Sequence, residues 1–248
     1  MIEKKLVLNG RKSVLELLSN ESLRELIQNI YLSSSQQQII SECQRLSVPY
    51  SIKPKNWLKN LQKEMNSKYS DVFASLKSKE QLTFSEILEE LSRTDSPECI
   101  VMLDKLQDPY NFGAIIRTCV ACGIKYIIYS STNNVRLNSS VLKTSQGYAL
   151  KLNLVMVPNL ANALEKLKKL GFWSYGASLS SDSKTYYKAE FSSRSVILMG
   201  NEGDGISKLL ESLVDWKIKI PLENNVDSLN VSVATGILLY EWIRQRAS

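Results

Sequence analysis

The sequence predicts an α/β protein, in which a mostly parallel sheet is preceded by a smaller α/β domain. From Cys99 onward, short β-rich runs alternate with helical patterns, which is typical of a parallel sheet covered by helices. The charge is also divided along the chain, with a net charge of +6 over residues 1–79, −4 over 80–96 and +4 over 97–248. The acidic stretch ends at Pro97 and has the polar composition of a linker. We therefore expect a domain over residues 1–79, a linker over 80–96 and a second domain over 97–248.

The apolar spacing predicts the elements of the N-terminal domain. Apolar residues at helical intervals predict helices over residues 11–18, 36–46 and 55–64. Short β-rich runs predict strands over residues 29–32 and 49–52. These elements together make a small α/β unit.

The third of these helices brings lysines next to aromatic residues. Lys55, Lys59 and Lys63 lie on it, close to Trp57. Lysines with interleaved aromatic rings can hold phosphates and stack on bases. The same pattern also fits a solvated lysine face above a buried Trp57 and Leu61, and the sequence leaves both interpretations open.

The elements of the C-terminal domain alternate as a parallel sheet requires. Strands are predicted over residues 100–103, 126–129, 152–157, 173–177, 196–199 and 218–220. Helices are predicted over residues 113–122, 160–170, 207–213 and 231–244, with one more helix over residues 84–91 of the linker. In such sheets ligands bind beyond the carboxyl ends of the strands, so the functional residues are expected in the loops that follow strands.

The composition excludes several kinds of chemistry. The chain has no histidine, which excludes Ser-His-Asp and Cys-His triads, histidine bases and mixed Cys/His zinc sites, and we expect no metal. No apolar run approaches the ~20 residues of a membrane span. The first residues lack the apolar core of a secretory signal, so we expect a cytoplasmic protein that does not bind membranes. The sequence pI of about 9.0 makes nucleic acid the first candidate for a polyanionic partner.

The four cysteines fit a reducing compartment, because one loose pair and two single residues make no disulfide framework. Cys119 and Cys122 have the spacing of a redox or metal motif. They lie in an apolar helical stretch, however, and no second pair completes a set of four zinc ligands. We therefore expect them to be buried structural residues.

The first of three loops that follow strands leads into the helix predicted from Gly113. Asp108 and Pro109 favour a turn, Asn111 is suited to cap the helix, and Gly113 permits a close backbone approach. Arg117 follows Asn111 by six residues on an otherwise apolar helix. By itself this arginine could equally be an ordinary salt-bridge partner.

The second loop begins at Gly200 and has three glycines in six residues, which permits a tight turn with exposed amides. It is neither a dinucleotide-binding fingerprint nor a P-loop. Glu202 lies among these glycines without an evident packing role, although a solvated hairpin tip would also explain the loop. The third loop runs from Ile220 to the C-terminal helix, where Ser228 and Asn230 are each able to cap.

Three stretches of these loops match known motifs, namely Asp108-Pro-x-Asn111-x-Gly113-x-x-x-Arg117-Thr118, Gly200-x-Glu202-Gly203-x-Gly205 and Ile220-Pro221…Ser228-Leu-Asn230-Val-Ser232. In order, spacing and chain position they resemble the three motifs of the SpoU/TrmH family of RNA ribose 2′-O-methyltransferases. The N-terminal region is similar, less tightly, to the ribosomal-protein-like RNA-binding domain of the members that modify ribosomal RNA.

The resemblance implies a C-terminal domain with a trefoil knot, a homodimer, and S-adenosylmethionine bound by Gly200, Ile220 and Leu229, mostly through their backbone. It implies that Arg117 acts at the 2′-hydroxyl of an RNA ribose. The residues that would orient this arginine and the ribose are Asn111, Glu202, Ser228 and Asn230. A guanidinium with a pKa above ~12 is a poor base, so we expect Arg117 to stabilise negative charge.

The resemblance also implies a substrate. The separate basic N-terminal domain favours large-subunit (23S-type) ribosomal RNA, and the family resemblance implies a guanosine as the target nucleotide. Transfer RNA is the alternative substrate, and a non-catalytic RNA-binding ribosome assembly factor is the alternative function. A nucleotide-dependent oxidoreductase is disfavoured, because its phosphate-binding fingerprint is missing.

Overall fold

The computed structural model describes residues 6–65, 70–77, 81–201 and 203–247. The elements up to the first predicted strand of the large sheet are β1 (Leu6–Asn9), α1 (Arg11–Ser19), α2 (Glu21–Arg24), β2 (Ile27–Leu32), α3 (Gln37–Arg45), β3 (Tyr50–Ile52), α4 (Lys55–Glu64), β4 (Val72–Leu76) and α5 (Phe84–Ser92). They are followed by β5 (Glu98–Leu103), α6 (Pro109–Ala121), β6 (Tyr126–Ser130), α7 (Ser139–Thr144), β7 (Asn153–Val157), α8 (Leu160–Lys169), β8 (Trp173–Ala177), β9 (Lys184–Thr185), β10 (Arg194–Met199), α9 (Lys208–Leu213), β11 (Trp216–Lys219) and α10 (Val231–Arg244).

The chain folds into two compact units. The first consists of Met1–Glu80 with Arg136–Leu150, and the second of Gln81–Val135 with Lys151–Ser248. The units thus have other boundaries than the expected domains, because each of them is made of two separate stretches of chain.

The first unit contains a four-stranded sheet in the order β1-β4-β2-β3, in which only β2 and β3 are parallel neighbours. Strand β4 was not predicted, because it lies in a stretch that is polar on either side. All five of its residues are buried nevertheless. Helix α7 belongs to this unit and packs against β1, with Val141 and Leu142 fully buried. A Gln146 side-chain amide that donates to Glu16, at 2.8 Å, also joins this segment to α1.

The stretch expected to be a linker contains helix α5, which is part of the second unit. Thr83 and Glu86 form a capping box at its N-terminus, where each residue bonds the backbone N–H of the other. Ile87 and Leu91 are buried in the same apolar cluster as the strands of the large sheet. The helix over residues 84–91 is therefore confirmed, and it packs on the core instead of bridging two domains.

The second unit contains a seven-stranded sheet in the order β7-β6-β5-β10-β8-β11-β9. Every neighbouring pair is parallel, so the predicted parallel sheet is confirmed. Helix α10 packs against α6 and β10. Among the described residues, no helix is both long and apolar enough to cross a membrane.

The four cysteines are buried and free, as expected. Cys119 is completely buried in α6, and Cys122 forms the C-cap of that helix. The spacing of these two residues therefore reflects one apolar helix side packed into the core.

Candidate active site

A cavity of about 330 Å³ lies beyond the carboxyl ends of β10, β8 and β11. These three strands are neighbours in the sheet and run parallel, so the loops that follow them meet at one edge. Four of the predicted site residues line this cavity, namely Gly200, Ile220, Ser228 and Leu229. The second and third sequence loops therefore converge on one space, as the resemblance implies.

The loop after β10 is folded tightly upon itself. A Cβ atom on Gly200 would lie 1.9 Å from the carbonyl carbon of Gly205, so no larger residue fits there. The Asn201 N–H donates to the Gly205 carbonyl, and the Asn201 side-chain oxygen accepts from the N–H groups of Gly203 and Asp204 at 2.9 and 2.7 Å. Glu202 lies outside the described residues.

Asp104 fixes the far end of this loop. The residue directly follows β5, and its buried carboxylate accepts a hydrogen bond of 2.8 Å from the backbone N–H of Ser207. Its own N–H donates to the carbonyl of Met199 at 2.9 Å. The sequence places Asp104 at a strand end, but it does not show that this side chain supports a loop of the neighbouring strand.

The loop after β11 ends at Asn230, which caps helix α10. The Asn230 side-chain oxygen accepts from the N–H and the hydroxyl of Ser232, at 2.9 and 2.6 Å. Asn224 and Asn225 both have a φ of 56°, a left-handed conformation that asparagine tolerates better than most residues. The loop thereby reverses direction and brings Ser228 and Leu229 to the cavity wall.

Asn111 lies within hydrogen-bond distance of Asn230. Helix α6 begins at Pro109 and is capped by Asp108, whose carboxylate accepts from the N–H groups of Tyr110 and Asn111. The expectation that Asn111 caps this helix is therefore wrong, since Asp108 fills that position. The Asn111 side chain instead accepts a hydrogen bond of 2.9 Å from the Asn230 amide.

Arg117 is an exposed residue of α6. It is not among the residues that line the cavity. Arg117 follows Asn111 by six residues, which places the two residues about 9 Å apart along the helix axis. Within the described part of the chain, the Arg117 guanidinium forms no ion pair, so the alternative that it is a salt-bridge partner finds no support there.

The end of β8 supplies a part of the cavity wall that the sequence did not reveal. Ala177, Ser178 and Leu179 line the cavity there, and they belong to none of the three sequence motifs. The Ser178 hydroxyl donates to the carboxylate of Glu211, a further lining residue on α9. The only signal for this wall was its position immediately after a strand.

The cavity combines apolar side chains with backbone groups. Its apolar walls come from Ile220, Leu222, Leu229 and Leu238, and its polar side from the loop after β10. Among the described residues, no group of three Cys, Asp or Glu side chains is placed to hold a metal ion. Such a site suits an organic ligand that has both an apolar part and hydrogen-bonding groups.

Comparisons with known proteins agree with this geometry. The SpoU rRNA Methylase family model matches residues 98–240, and a model described as RNA 2′-O ribose methyltransferase substrate binding matches residues 7–82. An uncharacterized tRNA/rRNA methyltransferase of Mycoplasma genitalium is 35% identical over 94% of this chain and 95% of its own length. The 23S rRNA (guanosine-2′-O-)-methyltransferase RlmB of Pseudomonas aeruginosa is 39% identical over 67% of either chain.

The fold is also found among solved structures. The SpoU methyltransferase AviRb from Streptomyces viridochromogenes, solved in complex with AdoMet, superposes with a TM-score of 0.75 at 19% identity. The match covers 98% of this chain and 91% of AviRb. At this identity the likeness shows the fold alone. The family models and the relative from Mycoplasma genitalium show that the chain belongs to the SpoU family of RNA methyltransferases.

Proposed function

We propose that this protein transfers a methyl group from S-adenosylmethionine to the ribose 2′-hydroxyl of a guanosine in large-subunit (23S-type) ribosomal RNA. The observation that carries the proposal is the single cavity on which the loops after β10 and β11 converge. RlmB of Pseudomonas aeruginosa, which carries the same activity in its name, supports the choice of base and RNA.

The residues around the cavity fit S-adenosylmethionine. Gly200, Ile220 and Leu229 would hold it, mostly through backbone groups, with the apolar walls against its adenosine part. The volume of about 330 Å³ lies in the range of small-molecule sites. When bound, this cofactor supplies an electrophilic methyl group on a positively charged sulfur.

The polar residues of the three motifs would act on the RNA. A guanidinium cannot accept a proton at neutral pH, so Arg117 would stabilise the oxygen as it loses its proton and would bind an adjacent phosphate. The pair of Asn111 and Asn230 would orient the ribose, because these amides are joined next to the lining residue Leu229. Ser228 and Glu202 complete the proposed set of orienting residues.

The first unit would bind the RNA. It contains most of the basic N-terminal region, with a net charge of +6 over residues 1–79. On α4, Lys55, Lys59 and Lys63 are exposed, and the Lys53 ammonium lies 5.3 Å from the centre of the Trp57 ring. Trp57 itself is half-buried against the apolar cluster of this unit, as the structural interpretation of this helix expects, and contact of its lysines with RNA stays a proposal.

Transfer RNA is the second candidate substrate. It is favoured by the relative from Mycoplasma genitalium, whose name includes both tRNA and rRNA. The two substrates differ in one readily measured quantity, which is the RNA that accepts the methyl group in vitro.

We further propose that the protein acts as a cytoplasmic homodimer. Helices α6 and α10 expose the large apolar residues Tyr110, Val233 and Tyr240, which are 64%, 51% and 56% exposed. Large apolar residues exposed on two helices that pack together would be covered in a dimer. Light scattering on the purified protein should give twice the mass of one chain, and Tyr240→Glu should lower it to that of a monomer.

A trefoil knot is the proposed path of the C-terminal segment. Strand β11 lies beyond β8, whereas α10 packs against β10 and α6. The segment after β11 must therefore return past the loop after β10. In the knotted path this segment would pass through that loop. An experimental structure whose ends could be pulled apart into a straight chain would contradict this.

The activity test uses purified protein, methyl-labelled S-adenosylmethionine, and total RNA from a strain that lacks the gene. We expect label in large-subunit ribosomal RNA, at a guanosine that reverse transcription maps as 2′-O-methylated. Label in transfer RNA alone would select the second candidate. If the protein binds both the cofactor analogue and RNA but transfers no methyl group, the result selects the alternative of a non-catalytic assembly factor.

Two variants test the role of Arg117. Arg117→Ala should lower turnover on saturating RNA by about 100- to 1,000-fold, which is typical of losing one oxyanion-stabilising group. Arg117→Lys keeps the charge but loses the planar fork, so it should be intermediate. S-adenosylhomocysteine binding should stay unchanged in both, and Arg93→Ala, an exposed arginine of α5, is the control. Near wild-type turnover of Arg117→Lys would contradict the proposal that the planar guanidinium binds the ribose oxygen and the adjacent phosphate together.

A further inference from the structure

A second recess of the methyltransferase unit is lined by aromatic side chains. It has a volume of about 320 Å³ and lies against the amino ends of β8 and β11. Its aromatic lining residues are Trp173, Tyr175, Phe191 and Trp216. The candidate active site lies at the other end of the same strands. The length of β8, four residue steps from Trp173 to Ala177, separates the two ends by about 13 Å.

The register of the strands gathers the aromatic residues on one face of the sheet. Trp173 and Tyr175 are two residues apart on β8, and Trp216 is the strand partner of Tyr175 on β11. Tyr175 is buried, with its hydroxyl held between the Glu190 carbonyl and the Ser192 N–H, both at 2.8 Å. It also packs on Phe191, with 4.5 Å between ring centres. This buried pair forms a rigid floor.

The two tryptophans are not needed to complete that core. Trp173 is 50% exposed and Trp216 is 42% exposed, although tryptophan is among the costliest residues to leave in water. Single exposed apolar residues are common, but two tryptophans around one recess are typical of a binding site.

The charge beside the recess indicates what binds there. The Lys184 ammonium, on edge strand β9, lies 5.3 Å from the centre of the Trp216 ring. Lys188 directly precedes the lining residue Ala189, and Glu190 is the one carboxylate among the described residues of the lining. Among the residues that the structure describes, neither of these two lysines is in an ion pair with a carboxylate. Aromatic faces next to free ammonium groups are what an unpaired base and its phosphate require.

We propose that this recess, defined by Trp173, Trp216 and Lys184, binds an unpaired nucleobase of an RNA strand outside the methylation site. The tryptophans stack on the base, and Lys184 with Lys188 contacts the neighbouring phosphates. Stacking accepts any base, so the site adds affinity for single-stranded segments more than sequence preference. The inference rests on RNA as the substrate of this family.

The test compares the wild-type protein with Trp173→Leu/Trp216→Leu and with Lys184→Glu. Met156→Ala, a 45% exposed apolar residue on the strand at the other edge of the sheet, is the control. A short unstructured oligoribonucleotide of mixed sequence is titrated against each protein, and the same strand as a perfect duplex is titrated in parallel. Circular dichroism and thermal melting establish that each variant is folded.

We expect both recess variants to weaken binding of the single strand by about fivefold or more, and binding of the duplex much less. The ultraviolet crosslink of the single strand should map to Trp173 or Trp216. In methylation assays the variants should raise KM for RNA and leave kcat at saturating RNA unchanged. The charge reversal at Lys184 keeps the proposal testable if the double variant does not fold.

Unchanged affinity of both variants for the single strand, with crosslinks elsewhere, would overturn the proposal. An equal loss of single-strand and duplex binding would also overturn it. So would a change in the oligomeric state of the variants, because that would identify the recess as a protein contact. Failure of the methylation function has another signature. In that case the wild-type protein transfers no methyl group to any RNA. The titration still shows whether replacing Trp173 and Trp216 weakens binding of the single strand.

Discussion

The carboxylate of Asp104 and the backbone N–H of Ser207 are joined by a hydrogen bond of 2.8 Å, although 103 residues of sequence separate them. The bond links the end of β5 to the far end of the loop that follows its neighbour β10, at the edge where the candidate active site lies. The Ser207 side chain forms no cap on α9, so the carboxylate of Asp104 takes the place of a local capping group.

Replacing Asp104 should loosen the loop after β10. Asp104→Ala leaves the Ser207 N–H without its partner, which we expect to lower the free energy of unfolding by about 1–3 kcal/mol. The affinity for S-adenosylhomocysteine should fall as well, because the loop forms one side of the cavity. Asp104→Asn retains an acceptor oxygen and should be milder. Denaturant unfolding and calorimetric titration measure the two quantities, with Glu165→Ala, at an exposed carboxylate of α8, as the control.

Glycine is required at position 200 for a different reason. Gly200→Ala would force a Cβ atom to within 1.9 Å of the Gly205 backbone, so the loop must open. We expect loss of cofactor-analogue binding and a destabilisation of about 3 kcal/mol or more. Gly203→Ala is a matched control in the same loop, since its Cβ would meet only the Asn201 side-chain oxygen at 3.6 Å. Equal effects of the two substitutions would contradict the close approach.

The bond between Asn111 and Asn230 can be separated from the cap that Asn230 provides. Asn230→Asp keeps the oxygen that caps α10 but loses the amide that donates to Asn111. We therefore expect a small change in stability and a clear loss of methyl transfer. Asn230→Ala should lose about 1 kcal/mol of stability in addition.

A double-mutant cycle with Asn111→Ala measures the coupling directly. If the two amides act together, the effects on turnover should be less than additive. Additive effects would mean that each asparagine acts alone, and the proposed joint orientation of the ribose would be abandoned.

The cysteines should be inert in the folded protein. Burial, and then the charge of Glu42, raises the pKa of Cys43 to about 11, and burial raises the pKa of Cys119 well above its ordinary value. Ellman's reagent attacks the thiolate, so we expect little reaction until the protein is unfolded, when all four thiols should react. Fast reaction of one thiol in the native protein would contradict its burial.

The same shift of pKa affects stability at alkaline pH. An unfolded cysteine loses its proton near pH 9.0, whereas folded Cys43 keeps its proton to about pH 11. Above pH 9.0 the unfolded state therefore binds fewer protons than the folded state, and the free energy of unfolding should decrease as pH rises. Cys43→Ala should show a shallower decrease over this interval. Denaturant unfolding at several pH values provides the measurement.

Much of the fold could be predicted because the apolar pattern of single elements is strong. The helix over residues 231–244 and the strand over 173–177 have the bounds that the sequence indicated. Strand β4 and helix α7 escaped prediction for opposite reasons. The first is a short apolar run in a polar stretch, and the second is a single helical turn and a half whose burial depends on residues distant in sequence.

The candidate site was predictable where glycine and backbone geometry determine it. Gly200, Ile220, Ser228 and Leu229 come from two of the sequence motifs and line one cavity, and their roles stay predictions. Side chains that work through tertiary contacts were harder to identify. Asp104 bonds a loop of another strand, and Asn111 is a partner of Asn230 because Asp108 takes the capping position. Such pairings depend on which strands become neighbours, and a linear pattern does not contain that information.

The assignment of Arg136–Leu150 to the first unit has a consequence for how the protein is made. Val141 and Leu142 cover part of that unit's apolar interior, and they are synthesised only after β5, α6 and β6. The N-terminal unit therefore cannot be completed during translation until residue 150 of the 248 has been added. A fragment that ends at residue 80 would leave that interior open to water and should aggregate. Adding the missing segment Arg136–Leu150 as a separate peptide should restore its solubility.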